Sequence, residues 1–199
     1  MNLTNFLIIL SGVFTVIAAI PYIIEIIRGV TKPRFASWII WNILVDISCA
    51  AALVEHQYPT ALLLFAASVE TLAVVVLGWR HGDKKFEKLD AVCLTGALIG
   101  VVLWAIFNSP AIAVIATVAI DLVSGAPTLL HSWKRPGEET WQTFLLSGLG
   151  AICTLLVINS WLVTAIAYPL YLVTFNFSTT VIILTRRIYL KNVPINVVE

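Results

Sequence analysis

The sequence predicts an all-α integral membrane protein of seven transmembrane helices, N-terminus outside and C-terminus cytoplasmic. Three observations lead there. The 199 residues are 60% hydrophobic and only 12% charged, against roughly 25% charged in soluble domains, and the mean hydropathy is +0.97; so much apolar surface has to face lipid. Seven apolar runs approach the ~20 residues that a helix needs to cross the hydrocarbon core. All twelve Lys and Arg follow alternate runs.

The first run, 6–27, has no basic segment before it and outlasts a signal-peptide core, so it is expected to be a permanent span. Arg28, Lys32 and Arg34 follow it. The second run, 37–54, turns through 55–58 into the third, 59–79; so short a link requires antiparallel neighbours. Arg80, Lys84, Lys85 and Lys88 come next, in a loop expected to be solvated. The fourth run, 90–107, carries Gly96 and Gly100 at GxxxG spacing beside Ala97, which either lets it pack closely on a neighbour or reflects chance glycines. Residues 108–109 turn into the fifth run, 110–133, which Lys134 and Arg135 close. The sixth run is 141–158, and the seventh, 163–185, ends in Arg186, Arg187 and Lys191. The links after runs two, four and six contain no Lys or Arg. Every basic residue therefore lies on one face, which is cytoplasmic by the positive-inside rule. An even number of spans would break this segregation.

The runs also repeat. Run one ends Pro21-Tyr-Ile-Ile-Glu25-Ile-Ile-Arg28 and run five ends Pro127-Thr-Leu-Leu-His131-Ser-Trp-Lys134. Ser37-Trp38 and Thr140-Trp141 open the next runs, and Tyr58-Pro59 and Tyr168-Pro169 the third of each set. Two triple-helix units are expected, 1–80 and 109–199, joined by a linker helix in 81–108 that restores the orientation of the second unit and makes the repeat parallel.

This 3+1+3 pattern resembles the SWEET and PQ-loop (MtN3-like) transporter superfamily, as a divergent bacterial member. The Pro-Gln pair itself is absent: Tyr22 follows Pro21 and Thr128 follows Pro127. The stretch Ser37-Trp38-Ile-Ile-Trp41-Asn42-Ile-Leu-Val-Asp46 is similar to the segment of cystinosin-type amino-acid exporters in which an Asp couples transport to protons. In SWEET carriers an Asn in the third helix of each unit lines the pocket. Asn176 matches that place in the second unit, whereas the first unit has Ala66–Ser68 and Glu70 there. The resemblance implies a carrier for a sugar, amino acid or vitamin-like solute, working by alternating access in the plasma (inner) membrane.

Ionisable groups near the midplane cost about 2.5–3.5 kcal/mol each on insertion scales, so those present need a reason. Asp46, Glu70 and Asp121 fall there, with Asn176 at similar depth. Trp38, Asn42 and Asp46 recur at i, i+4 and i+8. Thr117, Asp121, Ser124, Gly125 and Thr128 form a second polar stripe, and Thr143, Ser147, Gly150 and Thr154 a third. The candidate substrate-binding set is Trp38, Asn42, Asp46, Glu70, Asp121 and Asn176, converging on one wet chamber. For the acids the alternative is a structural hydrogen bond, and for Trp38 and Trp41 an interfacial anchor. Pro21 and Pro127 remove a backbone hydrogen bond and mark either hinges or static kinks.

No enzyme is expected. His56, His81 and His131 lie apart at span ends, which gives no metal cluster, and no nucleophile elbow occurs. A retinal sensor needs a lysine in the seventh run, and 163–185 has none. Cys49, Cys93 and Cys153 have no paired spacing and read as packing residues. No cofactor is called for. The expected partners are the lipid bilayer, a small polar solute and, through Asp46, protons; nucleic acid is not among them, and self-association stays open. The alternative function is a non-transporting seven-helix receptor or cargo-binding protein.

Overall fold

The computed structural model describes residues 2–29, 33, 35–82, 84–86 and 88–192. Lys32, Arg34, Asp83 and Glu87, which the sequence places in basic loops, lie outside the described residues. Seven α-helices form: α1 (Leu3–Ile27), α2 (Phe35–Val54), α3 (Tyr58–His81), α4 (Lys88–Phe107), α5 (Pro110–Lys134), α6 (Trp141–Leu155) and α7 (Val163–Asn192), with a 3-10 turn at Pro136–Glu138. The ends follow local chemistry. The Asn2 side chain accepts the Asn5 amide at 2.8 Å and caps α1. Prolines in the first turn start α3 and α5, where a missing N–H costs nothing. Asn108 ends α4 with φ 47°, a left-handed conformation that asparagine tolerates better than most residues.

Six of the seven helices are long and apolar enough to cross a membrane, so the chain is a multi-pass helical membrane protein. The exception is the expected sixth span. Helix α6 has 15 residues and stops at Leu155, near 23 Å at 1.5 Å per residue and short of the ~30 Å hydrocarbon core. The apolar run continues only to Ile158 before Asn159 and Ser160, residues that favour turns. Pro21 and Pro127 sit within the unbroken helices α1 and α5.

Six helices close a ring in the order α1, α3, α2, α5, α7, α6 and back to α1. Helix α3 packs closely on both α1 and α2, whose own backbones stay apart and meet through the Tyr22 and Trp38 rings, 5.0 Å between centroids; α7 likewise packs on both α5 and α6. Helix α4 lies outside the ring against α5 and α2. Its glycines face α5: a Cβ on Gly100 would come 2.7 Å from that of Ala116, and one on Gly96 3.2 Å from the Ile120 side chain.

Small residues dominate the buried positions, among them Ala18, Ala51, Ala52, Ala113, Ala151 and Ala165. Membrane helices pack this way because lipid offers no hydrophobic drive, leaving close backbone approach to hold them. The outward faces carry large apolar side chains such as Ile9, Val13, Phe65, Leu98 and Ile106. Hydroxyls join the two seams of the ring. Ser11 and Thr154 pair at 2.7 Å across α1 and α6, and Ser48 and Thr117 at 2.6 Å across α2 and α5. Each pair satisfies groups that lipid could not.

Candidate substrate cavity

The ring surrounds a half-open cavity of about 110 Å³, lined by side chains from all six of its helices and by none from α4. One aromatic group, Trp38 and Trp41 on α2, has ring centroids 5.1 Å apart. A second runs along α7, where Tyr171 lies 5.7 Å from both Tyr168 and Phe175. Phe144 of α6 adds a sixth ring to the wall. Between them stand the acids Glu70 and Asp121, the amide of Asn176, and hydroxyls of Thr15, Thr71, Thr143 and Ser147.

Glu70 is 9% exposed, lines the cavity, and no hydrogen bond or ion pair to its carboxylate exists among the described residues. Asp121, 6% exposed, accepts a 2.5 Å hydrogen bond from the Tyr168 hydroxyl. Thr143 Oγ1 is buried without a partner among the described residues and belongs to the same wall. Asn176 spends one amide proton on the Leu172 carbonyl of its own helix at 2.8 Å. The Trp41 ring N–H donates to the Ser124 hydroxyl at 3.1 Å, fixing one half of the ring to the other.

The cavity therefore brings together four of the six expected residues, Trp38, Glu70, Asp121 and Asn176. Asn42 and Asp46 stand elsewhere, which corrects the expectation that they share the chamber. Asn42 donates to the Ser68 carbonyl at 3.2 Å and to Thr71 Oγ1 at 3.0 Å. The Asp46 side chain is exposed on the outside of the bundle and accepts from the Ser68 hydroxyl at 2.6 Å. The cause is helical drift. At about 100° per residue each i+4 step turns about 40°, so Asp46 ends about 80° round from Trp38. Trp41 and Val45, at i+3 and i+7, keep the inward face and line the cavity.

The sequence reading did not single out Tyr171, Phe144, Phe175 or Thr71. A signal existed for α7: Tyr168, Tyr171 and Phe175 recur at i, i+3 and i+7. The polar stripe of α6 divides in two. Thr143 and Ser147 face the cavity, while Gly150 admits α1, since a Cβ there would meet Thr15 Oγ1 at 2.8 Å.

A second polar cluster lies where α1 ends and α6 begins. The Thr140 hydroxyl donates to a Glu25 carboxylate oxygen. Arg187 of α7 donates to the Pro136 carbonyl at 2.9 Å and the Glu139 carbonyl at 2.7 Å. His131 lies 3.2 Å from Glu138. Burial, then the nearby Glu25 and Glu138 carboxylates, push the Glu139 carboxyl up to about 7. Glu25 and His131 are thus tied to other elements at their helix ends. Comparison of the chain with protein-family models, curated proteins and solved structures returned no match.

Proposed function

We propose that the chain is a carrier that moves a small polar solute across the membrane by alternating access. One observation carries this proposal: Glu70, a buried acid without a partner among the described residues, faces a cavity walled by both halves of the chain. A group that is costly to bury in a membrane and has no partner among the described residues is best explained by a visiting one. The two halves are taken as parallel repeats, α1–α3 and α5–α7, joined by α4, with α6 completing a seventh crossing and the N-terminus outside a bacterial plasma membrane. Support comes from the matched packing of α3 and α7 between their neighbours. In addition, the register that aligns Pro21 with Pro127 also aligns Ser11 with Thr117 and Thr15 with Asp121. The first pair makes the two hydroxyl seams, and the second faces the cavity. The resemblance to SWEET and PQ-loop carriers points the same way.

Any proton coupling is assigned to Glu70 and Asp121 rather than to Asp46, whose carboxylate is outside the cavity. Purified protein in liposomes, loaded with a pH-sensitive dye and challenged with a panel of sugars, amines, amino acids and vitamins, tests the proposal. Flux of at least one solute is expected, lost by at least about tenfold in Glu70→Gln and Asp121→Asn (1.4 kcal/mol or more) and kept in Asp46→Asn. Saturable binding with no flux of any solute contradicts transport and favours a receptor.

A further inference from the structure

We infer that the cavity takes a compact organic cation that bears no carboxylate, with a quaternary ammonium as its recognised group. The inference rests on the cavity being a ligand site, as proposed above, but not on transport. Four features on the wall select the class.

The first is charge. Two carboxylates face the space, and among the described residues no Lys, Arg or His lines it. An anionic solute would meet like charge with no counter-ion, and a zwitterionic amino acid would leave its own carboxylate unpaired in a medium of low dielectric, a costly arrangement. The second is the division of labour between the acids. Asp121 is already engaged by the Tyr168 hydroxyl. Glu70 has no partner among the described residues, so its carboxyl is left to engage a ligand, and an arriving cation is the partner that would favour its ionised form.

The third is the aromatic wall. Trp38 and Trp41 on one side, and Tyr168, Tyr171 and Phe175 on the other, present π-faces and edges to the same space. Rings hold cations through their quadrupole, best when water is excluded, and quaternary ammonium groups are recognised this way. A sugar, by contrast, needs many directed donors and acceptors. Much of the hydrogen-bonding capacity here is committed within the protein, as in Asn176 to Leu172 and Thr71 to the Ala67 carbonyl at 3.0 Å. The fourth is size. The inner space, about 110 Å³, suits one compact group held between the rings, while its open side leaves room for the rest of a ligand.

The test is equilibrium binding to the full chain in detergent by isothermal titration, with four probes. Tetramethylammonium and choline carry the cation. 3,3-Dimethylbutan-1-ol is choline's uncharged carbon isostere, and glycine betaine keeps the ammonium but adds a carboxylate. The expected result is binding of at least one of the two cations, at least about tenfold tighter than either the alcohol or the betaine, a gap of 1.4 kcal/mol or more. Glu70→Gln should lose the cation by a similar factor, while Lys84→Ala, in an exposed loop away from the cavity, should not. The probe comparison needs no variant, so it remains decisive if Glu70→Gln fails to fold. Equal binding of choline and its neutral isostere, preference for the betaine, or no binding of either cation overturns the inference. Cation binding without liposome flux would leave the inference standing and remove the carrier; flux of a neutral solute without cation binding would do the reverse.

Discussion

The Tyr168 hydroxyl of α7 donates to Asp121 of α5 at 2.5 Å, a direct contact between a cavity acid and a neighbouring helix. Interhelical hydrogen bonds within membranes average about 0.6 kcal/mol and reach about 1.7. Tyr168→Phe should cost stability within that range, measured by thermal unfolding in detergent; a larger loss would mean that the hydroxyl organises more of the wall than Asp121. Glu139 permits a pH test outside the membrane. A carboxyl whose native value of about 7 lies above its ordinary 4.5 holds more protons folded than unfolded between those values. Stability therefore falls as pH rises through that window, and the penalty is constant above it. Glu139→Gln should gain on the wild type between pH 5 and pH 7.5, by a few kcal/mol at most, since each pH unit is worth about 1.4 kcal/mol. A pH-independent offset between the two proteins would show that the carboxyl does not titrate there. At this scale the sequence disclosed the cavity acids Glu70 and Asp121 through their depth in apolar runs. It misdirected Asp46, because depth carries no information on which way a side chain faces.

Helix contacts turn on glycines that differ in what a side chain would meet. A Cβ on Gly100 would lie 2.7 Å from that of Ala116, whereas one on Gly12 would meet nothing within 4 Å. Gly100→Leu should detach α4 from α5 and lower the yield of folded protein. Gly12→Ala should be neutral or add about 0.5–1 kcal/mol through helix propensity. Folded yield by size-exclusion chromatography of the two variants checks the contrast, and similar behaviour would contradict the packing. The GxxxG spacing made this seam legible in advance, and the short links and first-turn prolines made the helix ends legible. The length of α6 was not: its apolar run extends beyond the helix, and hydropathy does not register where backbone hydrogen bonding stops. The aromatic face of α7 was also obscured, because rings at helical spacing in an apolar run look like ordinary packing.

The described helices form a closed ring of six with α4 against its outer side; Glu70, Asp121 and Asn176 turn inward and bulky apolar side chains outward. The two seams of the ring include hydroxyl pairs, Ser11 with Thr154 and Ser48 with Thr117. Alternating access requires the cavity wall to meet water from each side in turn. The direct measurement is labelling of a single cysteine at Ser147→Cys, in a chain with Cys49, Cys93 and Cys153 replaced. A small membrane-impermeant methanethiosulfonate reagent would be applied to sealed vesicles of each orientation. Modification from both faces, slowed by bound cation, is the predicted result. Modification from one face only, or from neither, would contradict a carrier built around this cavity.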